Sequence, residues 1–308
     1  MSKKVLVATE KPFAKDAVAA IKKIGGEAGY EIVLLENYTD RNDLLKAVAD
    51  ADAMIIRSDI VNAEVIAAAN QLKIVVRAGA GYDNIDLAAS KERGIVAMNT
   101  PGQNSNAVAE AVFGIMLNLA RRNYSGKSGT ELRGKKLGLH AYGYVGRAVN
   151  AIAKGFGMEV FAYDPFVDKD KMKAEGVNPV DSVEALYTTC DYISLHIPKT
   201  KETLNSINYD LLSKTKKGAT LINSAREEVI DEPSLLKIFE ERKDFFYGAD
   251  VAPKCREELS QKYPDRCFFT AKKLGAQTEE ANNNAGIAAI KQIINFLEKG
   301  DTTFQVNK

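Results

Sequence analysis

The feature that most constrains this chain is a regular alternation of short apolar runs with amphipathic stretches. Val5-Leu6-Val7-Ala8, Ile32-Val33-Leu34-Leu35, Ala53-Met54-Ile55-Ile56, Ile74-Val75-Val76 and Ile95-Val96-Ala97-Met98 are each too short for a helix. Most are rich in β-branched residues, so they read as buried strands. Helical patterns lie between them over 13–24, 41–49 and 62–69. This order implies a parallel sheet covered on both faces. A second series begins near Lys135, with strands at Leu137-Gly138-Leu139-His140, 159–163, 192–195, 219–222 and 246–249. A chain of 308 residues is more than one core usually organises. Two series of strands therefore predict an α/β fold with two doubly wound parallel-sheet domains.

Two helical segments stand where the series meet. In the first, Ser105 or Asn106 can cap a helix whose apolar stripe is Val108, Val112, Ile115 and Leu119. The second covers 279–297 with Ile287, Ile290, Ile293, Ile294 and Leu297 as its stripe. Both stripes read as core packing.

Composition removes several classes of function. An apolar share of 45% is too high for a disordered chain. The net charge of +1 gives no global attraction to nucleic acid or an anionic membrane. No apolar run approaches a membrane span, and the N-terminal MSKKVLVATE has no signal-peptide core. Cys190, Cys255 and Cys267 are odd in number and form no CxxC pair, and His140 and His196 are the only histidines. A cytoplasmic protein with no metal site is expected.

The strand 137–140 runs into Ala141-Tyr142-Gly143-Tyr144-Val145-Gly146, with a helix starting near Val145. This is a dinucleotide fingerprint with alanine in place of its first glycine. Such a turn lets the backbone and the helix N-terminus meet a pyrophosphate. The next strand ends at Asp164, about 20 positions beyond Gly143, where an acid can accept from ribose hydroxyls. The same carboxylate would repel a 2′-phosphate, so NAD is expected rather than NADP.

From here the sequence resembles the D-isomer-specific 2-hydroxyacid dehydrogenases over nearly its whole length. The residues that carry the resemblance are Arg77-Ala78-Gly79-Ala80-Gly81-Tyr82-Asp83-Asn84-Ile85-Asp86, Asn99-Thr100-Pro101-Gly102 and Glu131-Leu132-Arg133-Gly134-Lys135-Lys136-Leu137-Gly138. They continue with Ser194-Leu195-His196-Ile197-Pro198, Leu221-Ile222-Asn223-Ser224-Ala225-Arg226 and Gly248-Ala249-Asp250-Val251. The resemblance implies a Rossmann-type NAD domain over 103–281, inserted into a flavodoxin-like substrate domain formed by 1–102 and a returning helix over 282–308. It also implies an active site in the cleft between the domains, and a homodimer. It is strongest to the short branch that oxidises 3-phosphoglycerate to 3-phosphohydroxypyruvate with NAD, the first step of phosphorylated serine biosynthesis. Because the chain ends at Lys308, soon after the returning helix, a serine-binding regulatory domain is not expected.

Residue by residue, the resemblance makes Arg226 the catalytic arginine, binding the substrate carboxylate and stabilising the reacting oxygen. The backbone of Ala78 and Gly79 would complete the carboxylate site, and Arg57 and Arg77 would take the phosphate, with Arg121 and Arg122 as weaker candidates. Gly143, Tyr144, Val145 and Gly146 would face the pyrophosphate, Asp250 the nicotinamide carboxamide, and Ile197, Pro198 and Ser224 the flanks of the cofactor. His196 would be a structural residue on the cofactor side, and His140 a satisfied core histidine.

Two positions depart from the family pattern. Lys273 stands where the family has its catalytic histidine, and Cys255, five residues after Asp250, stands where the orienting acid is usual, with Glu257 and Glu258 just beyond. A lysine base needs a pKa well below its ordinary ~10.4, and a glutamate beside it would oppose that. The two departures therefore explain one another, with Lys273 as general base. The alternatives are another D-2-hydroxyacid dehydrogenase, such as a glyoxylate or hydroxypyruvate reductase, and an NAD-sensing corepressor scaffold.

Overall fold

The structure is a computed structural model that describes residues 2–308. The chain divides into two compact units, one ending at Asn104 and resumed over Thr278–Lys308, the other Ser105–Gln277.

In the first unit, β1 (Lys4–Thr9), β2 (Glu31–Glu36), β3 (Ala53–Ile56), β4 (Ile74–Arg77) and β5 (Val96–Asn99) form one sheet in the order β2-β1-β3-β4-β5. All pairs are parallel. Because side chains alternate between faces, Leu6, Met54 and Val75 build one core and Val5, Val7, Ile55 and Val76 the other. The helix Glu279–Lys299 closes the second core by burying Ala289, Ile290 and Ile293. Three of the expected stripe, Ile287, Ile294 and Leu297, are only half-buried. This is the flavodoxin-like strand order.

The second unit holds β6 (Lys136–His140), β7 (Glu159–Tyr163), β8 (Asn178–Pro179), β9 (Tyr192–Leu195), β10 (Thr220–Asn223), β11 (Phe246–Ala249) and β12 (Cys267–Phe269). Their order is β12-β11-β10-β9-β6-β7-β8, again parallel throughout. Strand order reverses between β6 and β9, the Rossmann arrangement whose ligands lie beyond the carboxyl ends of the strands at that point. β8 and β12 escaped the sequence reading because two and three residues carry no usable periodicity. Pro179 is tolerated because β8 is an edge strand.

The helix Ser105–Ala120 buries Val112, Ile115 and Leu119 as expected and leaves Val108, the fourth residue of the expected stripe, half-buried. Its start differs from the sequence reading. Neither Ser105 nor Asn106 is the cap, since both lie in the first turn, and the Asn106 amide donates to Glu110 one turn on at 2.7 Å.

Candidate active site

The crevice at the strand-order reversal of the second unit begins at the end of β6. Ala141 leaves the strand with φ of 85°, a left-handed conformation that glycine adopts without strain. The alanine substitution in the fingerprint thus sits where backbone geometry most favours glycine. The helix Tyr144–Gly155 follows, with Gly143 as an N-cap that offers no side chain to the first-turn N–H groups. A Cβ added at Gly143 would meet open space, whereas one at Gly146 would lie 2.8 Å from the Ala141 carbonyl oxygen. The loop therefore folds tightly against its helix while the helix N-terminus stays open. Uncapped N–H groups and the helix dipole together suit an anionic ligand.

Asp164, just past β7, ties this loop down. Its carboxylate accepts from the Tyr142 N–H at 2.8 Å and the Phe166 N–H at 2.9 Å. A carboxylate has about four acceptor positions, so ribose hydroxyls can still be received.

At the ends of β9 and β10 the chain places His196, Ile197, Pro198 and Ser224. Ile197 is buried, and the exposed Pro198 carbonyl accepts from Thr203 Oγ1 at 2.6 Å. The His196 Nε2 and Ser224 Oγ are buried and, among the described residues, have no hydrogen-bond partner. Orphaned polar atoms at the carboxyl ends of β9 and β10, on the same sheet edge as the open helix N-terminus, fit a polar ligand such as a dinucleotide. Burial, and secondarily His140, push His196 down to about 3, so it is neutral at ordinary pH. Burial holds His140 at about 4, partly opposed by Asp164, and its Nδ1 lies 3.3 Å from the Tyr187 hydroxyl. Neither imidazole suits proton transfer near neutrality.

Arg226 follows β10 and is set by Asn223, which is fully buried. The Asn223 Oδ1 accepts the Ala225 N–H at 2.9 Å, and its Nδ2 donates to the Arg226 carbonyl at 2.8 Å. Arg226 is extended and half-buried, with its Nη1 donating to the Ala225 carbonyl at 2.9 Å. Sequence reading quoted Asn223 without giving it a role. An asparagine at a strand end, two residues before a bound N–H, is an Asx turn and was the available signal.

Asp250 follows β11 and is 2% exposed. Its carboxylate accepts from Thr270 Oγ1 at 3.0 Å, the Leu274 N–H at 2.8 Å and the Gly275 N–H at 2.9 Å. Lys273 lies on the loop so held, and is exposed. Cys255, at the position of the missing acid, has its N–H on Glu232 at 3.0 Å, and Glu232 also takes the Lys254 N–H at 2.8 Å. Burial, then Glu232, push the Cys255 thiol up to about 12. Glu257 is exposed, and Glu258 pairs with Lys262 on its own helix at 2.7 Å. Glu232 and Thr270 were not singled out from sequence, because their partners are distant in the chain.

In the first unit, the Arg57 guanidinium donates to the carbonyls of Lys11 at 3.3 Å and Pro12 at 2.9 Å and to Asn282. It also lies 5.2 Å from the centre of the Phe13 ring. Burial lowers its pKa from the ordinary value. Arg77 donates to the Arg57 carbonyl at 3.0 Å and to that of Gly81. Its guanidinium lies so close under the loop that a Cβ on Gly79 would come within 2.9 Å of it. The expected carboxylate donors are engaged in this conformation: the Ala78 N–H reaches Ile56 O at 2.8 Å, and the Gly79 N–H reaches Arg77 O at 2.9 Å. Arg121 is exposed, while Arg122 stacks 4.3 Å over Phe246, at the amino end of β11 and so away from the crevice.

Residues 104–269, more than half of the chain, match the family described as "D-isomer specific 2-hydroxyacid dehydrogenase, NAD binding domain". The chain is 35% identical over 304 residues to a D-3-phosphoglycerate dehydrogenase of Methanocaldococcus jannaschii, with 93% of this chain and 56% of that protein covered. It thus spans little more than half the length of that relative. A hydroxypyruvate reductase of Thermotoga maritima is 34% identical over 285 residues, covering 87% of this chain and 92% of that one. Among solved structures, the NAD+-bound 3-phosphoglycerate dehydrogenase of Entamoeba histolytica superimposes with a TM-score of 0.92 at 45% identity, covering 100% and 99% of the two chains.

Proposed function

Because the chain belongs to the D-isomer-specific 2-hydroxyacid dehydrogenases, we propose that it oxidises D-3-phosphoglycerate to 3-phosphohydroxypyruvate with NAD, the first step of phosphorylated serine biosynthesis. The observation that carries the reading is the open N-terminus of the helix Tyr144–Gly155 at the β6/β9 reversal, with Asp164 in register and Arg226 and the Lys273 loop in the same unit. The 45% identity to the Entamoeba enzyme over the whole chain supports the phosphorylated substrate.

In this reading the N–H groups of Tyr144, Val145 and Gly146 hold the pyrophosphate, with Gly143 giving it room. Asp164 receives the ribose, Asp250 the carboxamide, and His196, Ile197, Pro198 and Ser224 line the flanks. NAD supplies the hydride acceptor. Arg226 clamps the substrate carboxylate and stabilises charge growing on the C2 oxygen. Lys273 takes the C2 hydroxyl proton. Arg57 and Arg77 form the anion side of the substrate site, and the loop of Ala78 and Gly79, whose N–H groups are held by Ile56 and Arg77, borders it. The reading also includes a homodimer and a cytoplasmic location.

A second reading, hydroxypyruvate reductase, is favoured by the near full-length match to the Thermotoga enzyme. Steady-state assays separate them. The proposal expects kcat/KM for 3-phosphoglycerate at least about 100-fold above that for glycerate, the gap two lost charge-assisted hydrogen bonds produce. Equal values, or faster reduction of hydroxypyruvate than of its phosphorylated form, would favour the second reading.

A further inference from the structure

The Asp250 carboxylate is more heavily engaged than a contact to a nicotinamide carboxamide requires. A carboxamide N–H needs one acceptor position. Three others are taken by one loop: Oδ1 by Thr270 Oγ1 and the Leu274 N–H, and Oδ2 by the Gly275 N–H. These contacts lie on both sides of Lys273.

The anchor is itself tied to the sheet. The Asp250 N–H donates to the Asn223 carbonyl at 3.0 Å, and the Thr270 N–H donates to the Ala249 carbonyl at 3.1 Å, so the carboxylate is fixed to the carboxyl edge of β10, β11 and β12. The Thr270 hydroxyl sits among three acceptors, the Asp250 carboxylate, the Asp250 carbonyl at 3.1 Å and the Lys272 carbonyl at 2.8 Å. Its single proton serves one at a time, and all three hold the same turn. The approach at Gly275 is so close that a Cβ there would lie 2.9 Å from Asp250 Oδ2. A short loop gripped at both ends by one buried anion has little freedom at its centre.

We propose that Asp250 is a positioning residue for Lys273, with Thr270 as its partner, so that one carboxylate sets both the base and the nicotinamide site. The role rests on the reading of Lys273 as general base. It predicts a loss in the chemical step rather than in cofactor affinity.

The test uses the intact enzyme with Thr270→Val, Thr270→Ser and Lys273→Ala, alone and combined, and reads kcat beside NADH affinity by fluorescence titration. Thr270→Val keeps the side-chain volume and removes the hydroxyl. It is expected to lower kcat about tenfold with NADH affinity within twofold of wild type, and Thr270→Ser should restore kcat. In the Lys273→Ala background, Thr270→Val should leave the residual rate unchanged, because the group it positions is gone. Asp250→Asn, which turns an acceptor toward the loop N–H groups into a donor, should lower kcat at least 100-fold. A Thr270→Val effect of equal size with and without Lys273 would overturn the proposal. So would weakened NADH binding with kcat intact. Normal turnover of Lys273→Ala alone is a different result: it removes the base, and this role with it.

Discussion

At the scale of single residues, the left-handed backbone at Ala141 is a cost the fold carries, about 1–2 kcal/mol for a residue with a Cβ. Ala141→Gly removes it but gives the unfolded chain more freedom, worth about 0.4–1 kcal/mol. The expected balance is a gain of roughly 0.5–1 kcal/mol, seen as a melting temperature higher by about 1–4 °C. A lower melting temperature in calorimetry would contradict this account of the turn. The proposed lysine base is also tested at one residue. Lys273→Ala should lower kcat about 10²–10⁴-fold, as removal of a general base does, while its exposed neighbour Lys272→Ala should stay near wild type. Near-normal turnover in Lys273→Ala would sink the base assignment.

At the scale of elements, the turn leaving β10 depends on an amide that donates and accepts at once. Asn223→Asp keeps the shape and the acceptor for the Ala225 N–H but loses the donor to the Arg226 carbonyl. A buried acceptor left unmet costs about 1–3 kcal/mol. The expected result is a kcat/KM for the substrate lower by about 10–100-fold, partly recovered as the pH falls and the introduced carboxyl regains a proton to donate. A flat ratio of variant to wild type across pH would show that volume, not the donor, is what the site needs. Elements were legible in the sequence wherever a strand ran four or more residues with β-branched character. β8 and β12 were not, because pairing with a neighbour, rather than their own residues, makes them strands.

For the whole molecule, the two histidines set an acid limit on stability. Unfolded, both titrate near 6.5; folded, burial keeps His140 neutral to about 4 and His196 to about 3. Above the unfolded value neither state binds the proton and the histidines have no effect. Below it the unfolded chain takes up protons that the fold refuses, so stability falls with pH until the folded values are passed. Urea unfolding followed from about pH 7.5 to 4 should show proton uptake on unfolding, with His196→Gln removing roughly one proton's share of the slope. An unchanged slope in His196→Gln and in His140→Gln would mean the rings are not held neutral by the fold.

Whereas Arg226 and Lys273 were singled out by resemblance to a family, the sequence by itself determined the two parallel-sheet series and the glycine-containing strand-to-helix turn with its acid. Those features are local: a period, a turn with its glycines, a spacing along one strand–helix–strand unit. Only the tertiary structure decided that Ala141 is left-handed, that Glu232 holds the backbone at Cys255, that Arg57 and Arg77 brace loops, and that Asp250 grips the chain around Lys273. Each of these except the Ala141 turn rests on a contact between residues about 20 or more positions apart. A buried carboxylate must be met by donors, but which donors reach it is fixed when the parallel strands bring their carboxyl ends to one edge.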